Sequence, residues 1–266
     1  MTKQSKINNI SFLPSLAYEL DVIFHLGWRN FILRYKGSAL GVLWSLIMPL
    51  SQLLIFSFVF ERVVRLDIEA YPLFLFTGIL PWNWFNSCIS SAGWLFINNR
   101  DLMRKPNLLP ANLVIADTIT NLVSFAFLLP LLFFLIIIFQ RDFPIFILII
   151  PIILLIQAIF IIGLGLIISI SNVIFPDLQH MIKIILMFLF YLTPIFYRAD
   201  MADKKYEILF TVNPLASLIN CYRAIFFYND FPDIFTLIYP TIYGLVILLI
   251  GIYFYKKYLY KIYDLL

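Results

Sequence analysis

The side chains of this 266-residue chain best able to do chemistry are polar groups set inside apolar sequence. In LPWNWFNSCISSAGW, Asn83, Ser87, Ser90 or Ser91, and Trp94 recur at helical spacing behind Pro81, which gives one helix a polar face. Amides and hydroxyls at membrane depth either hydrogen-bond a neighbouring helix or line a water-filled path, and Asn and Ser serve both purposes. Asp117 stands alone in another apolar run. A carboxylate near the end of such a run is better explained by reaching the interface, or by pairing with a nearby base, than by relaying protons. Catalytic chemistry finds less support. His25 and His180 lie in separate segments without metal-ligand spacing, and Asp177 near His180 is a single pair in a loop. Cys88 and Cys221 suggest neither a disulfide framework nor a thiolate metal site. No glycine-rich loop ends in Gly-Lys-Ser or Gly-Lys-Thr, so no ATP-phosphate cradle is visible. No catalytic residue and no metal ligand is assigned, and no cofactor is expected on this chain.

The elements that must position these groups are six apolar stretches: Gly37 to Phe60, Ala70 to Phe96, Asn112 to Phe139, Phe143 to Asn172, Met181 to Phe196 and Phe235 to Tyr255. A hydrocarbon core of about 30 Å needs about 20 apolar residues per helix, and a helix satisfies its own backbone hydrogen bonds there. With 62% hydrophobic and 13% charged residues, the chain has more apolar side chains than a soluble interior could hide. The expected fold is an all-α integral membrane protein with six transmembrane helices. Residues 1–36 form an N-terminal arm without the compact apolar run and cleavage site of a secretory signal. Residues 37–255 form a single six-helix transmembrane domain with 198–234 as its external segment, and 256–266 a cytoplasmic tail. Twelve Lys and Arg fall on the side of both termini and seven on the other, against five and nine acidic residues, so the positive-inside rule places both termini in the cytoplasm. The basic balance is explained by anionic lipid, and nucleic acid need not be invoked.

From Ser15 to Tyr35 the arm mixes Leu16, Leu20, Ile23, Trp28, Phe31 and Ile32 with four charges, which predicts an amphipathic helix lying flat on the cytoplasmic leaflet. Between spans 2 and 3, NNRDLMRKPNLLPAN predicts a short helix before Pro106, with Leu102, Met103, Leu108 and Leu109 offered to a cytoplasmic partner. Span 5 is short and breaks at Pro194. The chain then stays external over 198–234, where Asn213 and Pro214 supply an N-cap and first-turn proline for a helix too short to cross, a re-entrant element with Arg223 toward its exit.

Taken in order, the amphipathic helix, RYKGSALGVLWSLIMPL, FTGILPWNWF, NRDLMRKPNLLPAN, YLTPIFY and NPLASLINCYR resemble the permease subunit of ABC type-2 polysaccharide exporters, which move lipid-linked O-antigen, teichoic acid or capsule. The resemblance covers about Leu26 to Tyr255. It implies a homodimer in the bacterial cytoplasmic (inner) membrane, docked to two copies of a cytoplasmic ABC ATPase subunit that carries the ATP and Mg. It also implies that Arg100, Asp101, Leu102, Met103, Arg104 and Lys105 couple to that ATPase, and that Asn213, Pro214 and Arg223 belong to external gate helices. Spans 1, 2 and 5 would line the channel. Its candidate lining is Trp44, Phe56, Trp82, Asn83, Trp84, Phe85, Ser87, Tyr191 and Tyr197, whose aromatic members can stack on sugar rings, with about half expected to face the path. Arg29, Arg34 and Lys36 are placed to attract an anionic lipid head group.

Two other function classes fit parts of the sequence. An ABC type-2 exporter of drugs or small lipids shares the coupling architecture but needs a narrow apolar pocket. A membrane-embedded acyl- or glycosyltransferase needs clustered polar catalytic groups at the membrane surface, which the sequence does not supply.

Overall fold

The computed structural model describes residues 16–104, 108–139, 141–201 and 203–265, and every regular element among them is helical. Lys105 and the arm before residue 16 lie outside the described residues. The first helix, α1 (Leu16–Tyr35), turns two faces outward and inward. Ile23, Leu26 and Phe31 are buried, while Leu20, Phe24, Trp28 and Ile32, each four residues after the last, form an exposed apolar stripe. Gly37 ends α1 in the left-handed region at φ 82°, and Gly41 follows at φ 49°. Two such turns keep the next helix from starting at residue 37, where the apolar run begins, so α2 is Trp44–Ser57 with a short 3-10 turn before it and a π-helical turn, Phe58–Val63, after it.

Among the described residues, four helical stretches are long and apolar enough to cross a membrane: Gly41–Val63, Ala111–Ile138, Ile145–Ile174 and Ile234–Tyr263. With the apolar helix α8 (Leu178–Leu192), they make this a multi-pass membrane protein. α3 (Tyr71–Asn98) has the length, about 42 Å for its 28 residues, but its polar face sets it apart in composition. A short helix, α4 (Arg100–Met103), stands before Pro106 as the sequence predicts. The third apolar stretch is divided into α5 (Ala111–Ala126) and α6 (Leu129–Ile138). Pro130, in the first turn of α6, has no N–H to continue the ladder, which accounts for the break. α7 (Ile150–Ile174) follows, then α8, α9 (Glu207–Thr211), α10 (Pro214–Phe226) and α11 (Ile234–Leu265).

α3 is the central pillar. Leu73, Phe74, Leu75, Phe76 and Phe96 are fully buried, and α2, α5, α7, α8 and α10 all pack on it. Pro81 does not interrupt it, and the Pro81 carbonyl accepts a hydrogen bond from Gln157 Nε2 at 2.8 Å. The other main seam joins α7 and α11 along most of their length. Gly163 is there because a Cβ would stand 2.6 Å from the Leu248 backbone nitrogen. Small residues that let backbones touch substitute, in a bilayer, for the hydrophobic drive that lipid removes.

Candidate functional site

Side chains from four elements converge on a groove of about 460 Å³. α1 supplies Arg34 and Tyr35 at one end, α2 supplies Trp44, Ser45 and Gln52, α3 supplies Asn83, Asn86 and Ser87, and α5 supplies Asn121 and Ser124. The helical spacing of Asn83, Asn86 and Ser87 puts them on the same side of α3, and Asn83 Nδ2 donates to Gln52 Oε1 at 3.0 Å across to α2. Two larger cavities differ in kind. One of about 680 Å³ between α3, α7 and α8 is walled by Phe85, Ile89, Ile168, Leu186 and similar apolar residues. Another of about 900 Å³ lies among α9, α10 and α11. Only the first groove gathers amides, hydroxyls, an indole and a guanidinium, a lining that can hydrogen-bond a polyhydroxylated or anionic ligand and stack on a ring.

The candidate lining residues separate by burial. Trp44 and Tyr191 are exposed, as is Ser87, while Phe56, Asn83 and Tyr197 are half-buried. Trp82, Trp84 and Phe85 are packed inside the chain: Trp84 Nε1 donates to the Thr118 carbonyl at 3.2 Å, Phe85 stacks on Phe160, and Trp82 meets Phe190. Trp44, Asn83, Trp84 and Ser87 share the groove with Arg34, whereas Phe56, Tyr191 and Tyr197 cluster with Phe190 and Phe196 at the exit of α8. Arg29 and Lys36 are exposed on and just after α1 and do not line the groove.

Arg34 is drawn in by a polar chain that reaches α3. Arg34 Nη1 donates to Asn121 Oδ1 at 2.9 Å, Asn121 Nδ2 donates to Asp117 Oδ2 at 3.2 Å, and Ser91 Oγ donates to that same carboxylate oxygen at 2.6 Å. Two more ties bind α1 to α5: Thr120 Oγ1 donates to the Gly27 carbonyl at 3.0 Å, and Asn112 Nδ2 donates to Glu19. On the other side of α3, Ser169 Oγ, Asn172 Nδ2 and Gln179 Nε2 donate to the carbonyls of Ala92, Gly93 and Ser90. The polar face of α3 therefore both ties neighbouring helices, through Asn83 and Ser91, and lines the groove, through Asn83 and Ser87. Gln157, Asn172 and Gln179 carry much of the adhesion and are residues that sequence reasoning missed, with only a lone polar letter in an apolar run as a signal at Gln157.

The short helix after α3 differs from expectation in one respect. Met103 is buried in a core cluster of its own chain with Leu26, Phe96 and Leu113, with Leu102 and Leu108 packed against it. Arg100, Asp101, Arg104 and Leu109 remain on the outside.

At the opposite end, the break after α8 is held by four successive ties. Asn213 caps α10 by accepting from Leu215 N at 3.0 Å, and its Nδ2 donates to Thr193 Oγ1 at 2.9 Å. Arg223, 3% exposed, donates from Nη1 to the Pro194 carbonyl at 2.6 Å and from Nη2 to the Ile195 carbonyl at 2.5 Å. Its guanidinium lies 3.8 Å over the Phe74 ring, and Tyr71 Oη donates to the Phe196 carbonyl at 2.8 Å. Gly78 leaves the room, since a Cβ there would stand 3.0 Å from Ile195 O. The sequence places Pro214 and Arg223 on the external helix, and the structure adds that Arg223 is spent inside this clamp. Asn213→Ala removes both the cap and the Thr193 tie. It is expected to cost about 1–2 kcal/mol, read as a lower unfolding midpoint of the purified protein in mixed micelles.

Residues 21–227 match the family described as ABC-2 type transporter. The chain is 31% identical over 254 residues to a Klebsiella pneumoniae protein named O-antigen export system permease protein RfbA, covering 95% of this chain and 97% of that one. A Myxococcus xanthus protein of the same name is 31% identical over 226 residues, 84% of this chain and 87% of the relative. The Escherichia coli polysialic acid transport protein KpsM is 25% identical over 235 residues, 86% of this chain and 90% of the relative.

Proposed function

The chain belongs to the ABC-2 type transporter family and is the permease of a polysaccharide exporter, and from that premise we propose how it is arranged and how it works. The near-complete overlap with a permease named for O-antigen export carries this reading. The substrate is a lipid-linked polysaccharide of the O-antigen or a related kind. Six helices cross the cytoplasmic membrane: α2, α3, the α5 and α6 pair, α7, α8 and α11. Both termini are cytoplasmic, so α1 lies along the inner leaflet with Leu20, Phe24, Trp28 and Ile32 toward lipid. α9 and α10 are external gate helices.

Two copies of the chain enclose the path, and two copies of a cytoplasmic ATPase subunit bind and hydrolyse ATP with Mg. Lacking a phosphate cradle, the permease contributes no hydrolysis and acts as a transporter subunit, not as an enzyme. The polar groove forms part of the path wall, with Trp44, Asn83 and Ser87 facing the glycan and Trp82, Trp84 and Phe85 packing behind them. ATP closure pushes on α1 and on the segment around Arg100, Asp101 and Arg104. The ties from α1 to α5 carry that push inward. Deleting the gene is expected to leave labelled lipid-linked polysaccharide on the cytoplasmic side of fractionated cells and to strip it from the surface. Normal surface glycan in the deletion strain would overturn the assignment.

A further inference from the structure

The α1 end of the groove holds an arrangement that apolar packing does not require. Arg34 is an exposed cation at the groove mouth, and its hydrogen bond among the described residues goes to a neutral amide. That amide, on Asn121, is 2% exposed and is fixed from its far side, where Nδ2 donates to the Asp117 carbonyl at 2.9 Å and to Asp117 Oδ2 at 3.2 Å. Turned over, Asn121 would set its NH2 group against the guanidinium donors and its oxygen against two acceptor oxygens, so only one orientation is tolerated. Ser91 Oγ, at 2.6 Å, holds the carboxylate in place from α3. The order of groups matters electrostatically. A carboxylate in direct contact with Arg34 would neutralise it and repel an incoming anion. Asn121 stands between them, orienting the guanidinium while leaving its charge and its other N–H donors for a ligand. A planar guanidinium with donors to spare matches phosphate oxygens in a paired geometry.

We propose that Asp117 and Asn121 are positioning residues that present the Arg34 guanidinium to a phosphate-class anion entering the groove from the α1 end. The identity of that anion as the head of a transported lipid rests on the export reading above, whereas the site itself does not.

The test is equilibrium binding to the full permease in phosphatidylcholine nanodiscs, with a fluorescent prenyl diphosphate as the probe and inorganic diphosphate or phosphatidylglycerol as competitors. Arg34→Gln, Asn121→Leu and Asp117→Leu are each expected to raise the dissociation constant about tenfold. The Arg34→Gln/Asn121→Leu pair is expected to be no weaker than either single variant, because both act through one guanidinium. Asp117→Asn keeps an acceptor for Ser91 and Asn121 and is expected to stay within threefold of wild type, which a merely space-filling role for the network would not single out. Competition by inorganic diphosphate assigns the site to the anion itself, and competition by phosphatidylglycerol alone assigns it to lipid headgroups. Both outcomes support a phosphate-class site. Wild-type binding by Asn121→Leu beside weakened Arg34→Gln, tenfold losses that multiply in the pair, or no binding by the unmodified protein would overturn it. Failure of the export reading is separate, and would show as anion binding intact while the deletion strain keeps its surface glycan.

Discussion

Arg223→Met is expected to lower the unfolding free energy of the permease in mixed micelles by about 2–6 kcal/mol, because it removes the donors of two buried carbonyls at about 1–3 kcal/mol each. Methionine nearly restores the volume and can still lie against Phe74, so lost packing is not the main cause. What it cannot do is reach the Pro194 and Ile195 carbonyls, which the guanidinium bonds at 2.6 and 2.5 Å. The buried cation itself is costly to desolvate, and its removal returns part of that cost, which is why the range is broad. Arg223→Lys is the informative companion. One ammonium can satisfy one carbonyl well but lacks the planar fork that spans two and stacks on a ring, so it should recover about half of the loss. A methionine variant as stable as the wild type would mean that the α8 exit is held by Asn213 and Tyr71 alone.

The second large effect belongs to the seam between α7 and α11. Gly163→Leu is expected to abolish accumulation of folded protein, and Gly163→Ala to cost about 1–3 kcal/mol as overpacking. A Cβ at Gly163 would stand 2.6 Å from Leu248 N and 2.8 Å from both Ile247 C and Leu248 Cα, and these backbone atoms cannot swing aside as a side chain can. Gly244→Ala is the control on the same seam. Its Cβ would meet Phe160 at 3.5 Å, an ordinary contact, so its yield and its elution as a single species on size exclusion should match the wild type. Equal behaviour of the two alanine variants would show that the helices can separate freely and that close approach is not what holds them.

Much of the helical skeleton was legible along the chain, since apolar run length and turn chemistry are local. Each apolar stretch holds helix, though the first starts late and the third is divided, Asn213 and Pro214 start α10, and α8 stops just before Thr193 and Pro194. Proline was less readable. Pro130 divides a run, yet Pro81 sits inside an unbroken α3, as Pro49 does in α2 and Pro240 in α11, so a proline in an apolar run does not by itself mark a break. The site was legible as a set of residue types and not as a constellation. Nothing in the spacing of Arg34 and Asn121, 87 residues apart, announces that they touch. Met103 was offered to a cytoplasmic partner because an apolar residue has little reason to sit in a free loop, and the structure packs it in its own chain's core. Arg223 was legible as a residue toward the exit of a short external helix, not as a buried one. Its burial follows from the gap at Gly78 on a different helix, which no local pattern encodes.

The attachment of α2 has a mechanical corollary. Of the four stretches long and apolar enough to cross among the described residues, the one that contains α2 is the least buried, at 11% against 33% for that of α7, and α3 is its main neighbour among the other long helices. Its near end hangs from Gly37 and Gly41 with positive φ, and its far end passes through a π-helical turn to Arg65 at φ 60°. A rod fastened along one side and jointed at both ends is the compliant member of an otherwise stiff frame. Swinging it outward costs the Asn83 to Gln52 hydrogen bond, a strip of contact with α3 and the contacts of the Phe56 and Phe60 rings with Phe190, Phe196 and Tyr71, while the seam between α7 and α11 and the Arg223 hydrogen bonds do not involve it. Among the long apolar helices, α2 is therefore the one whose displacement disturbs the packed frame least.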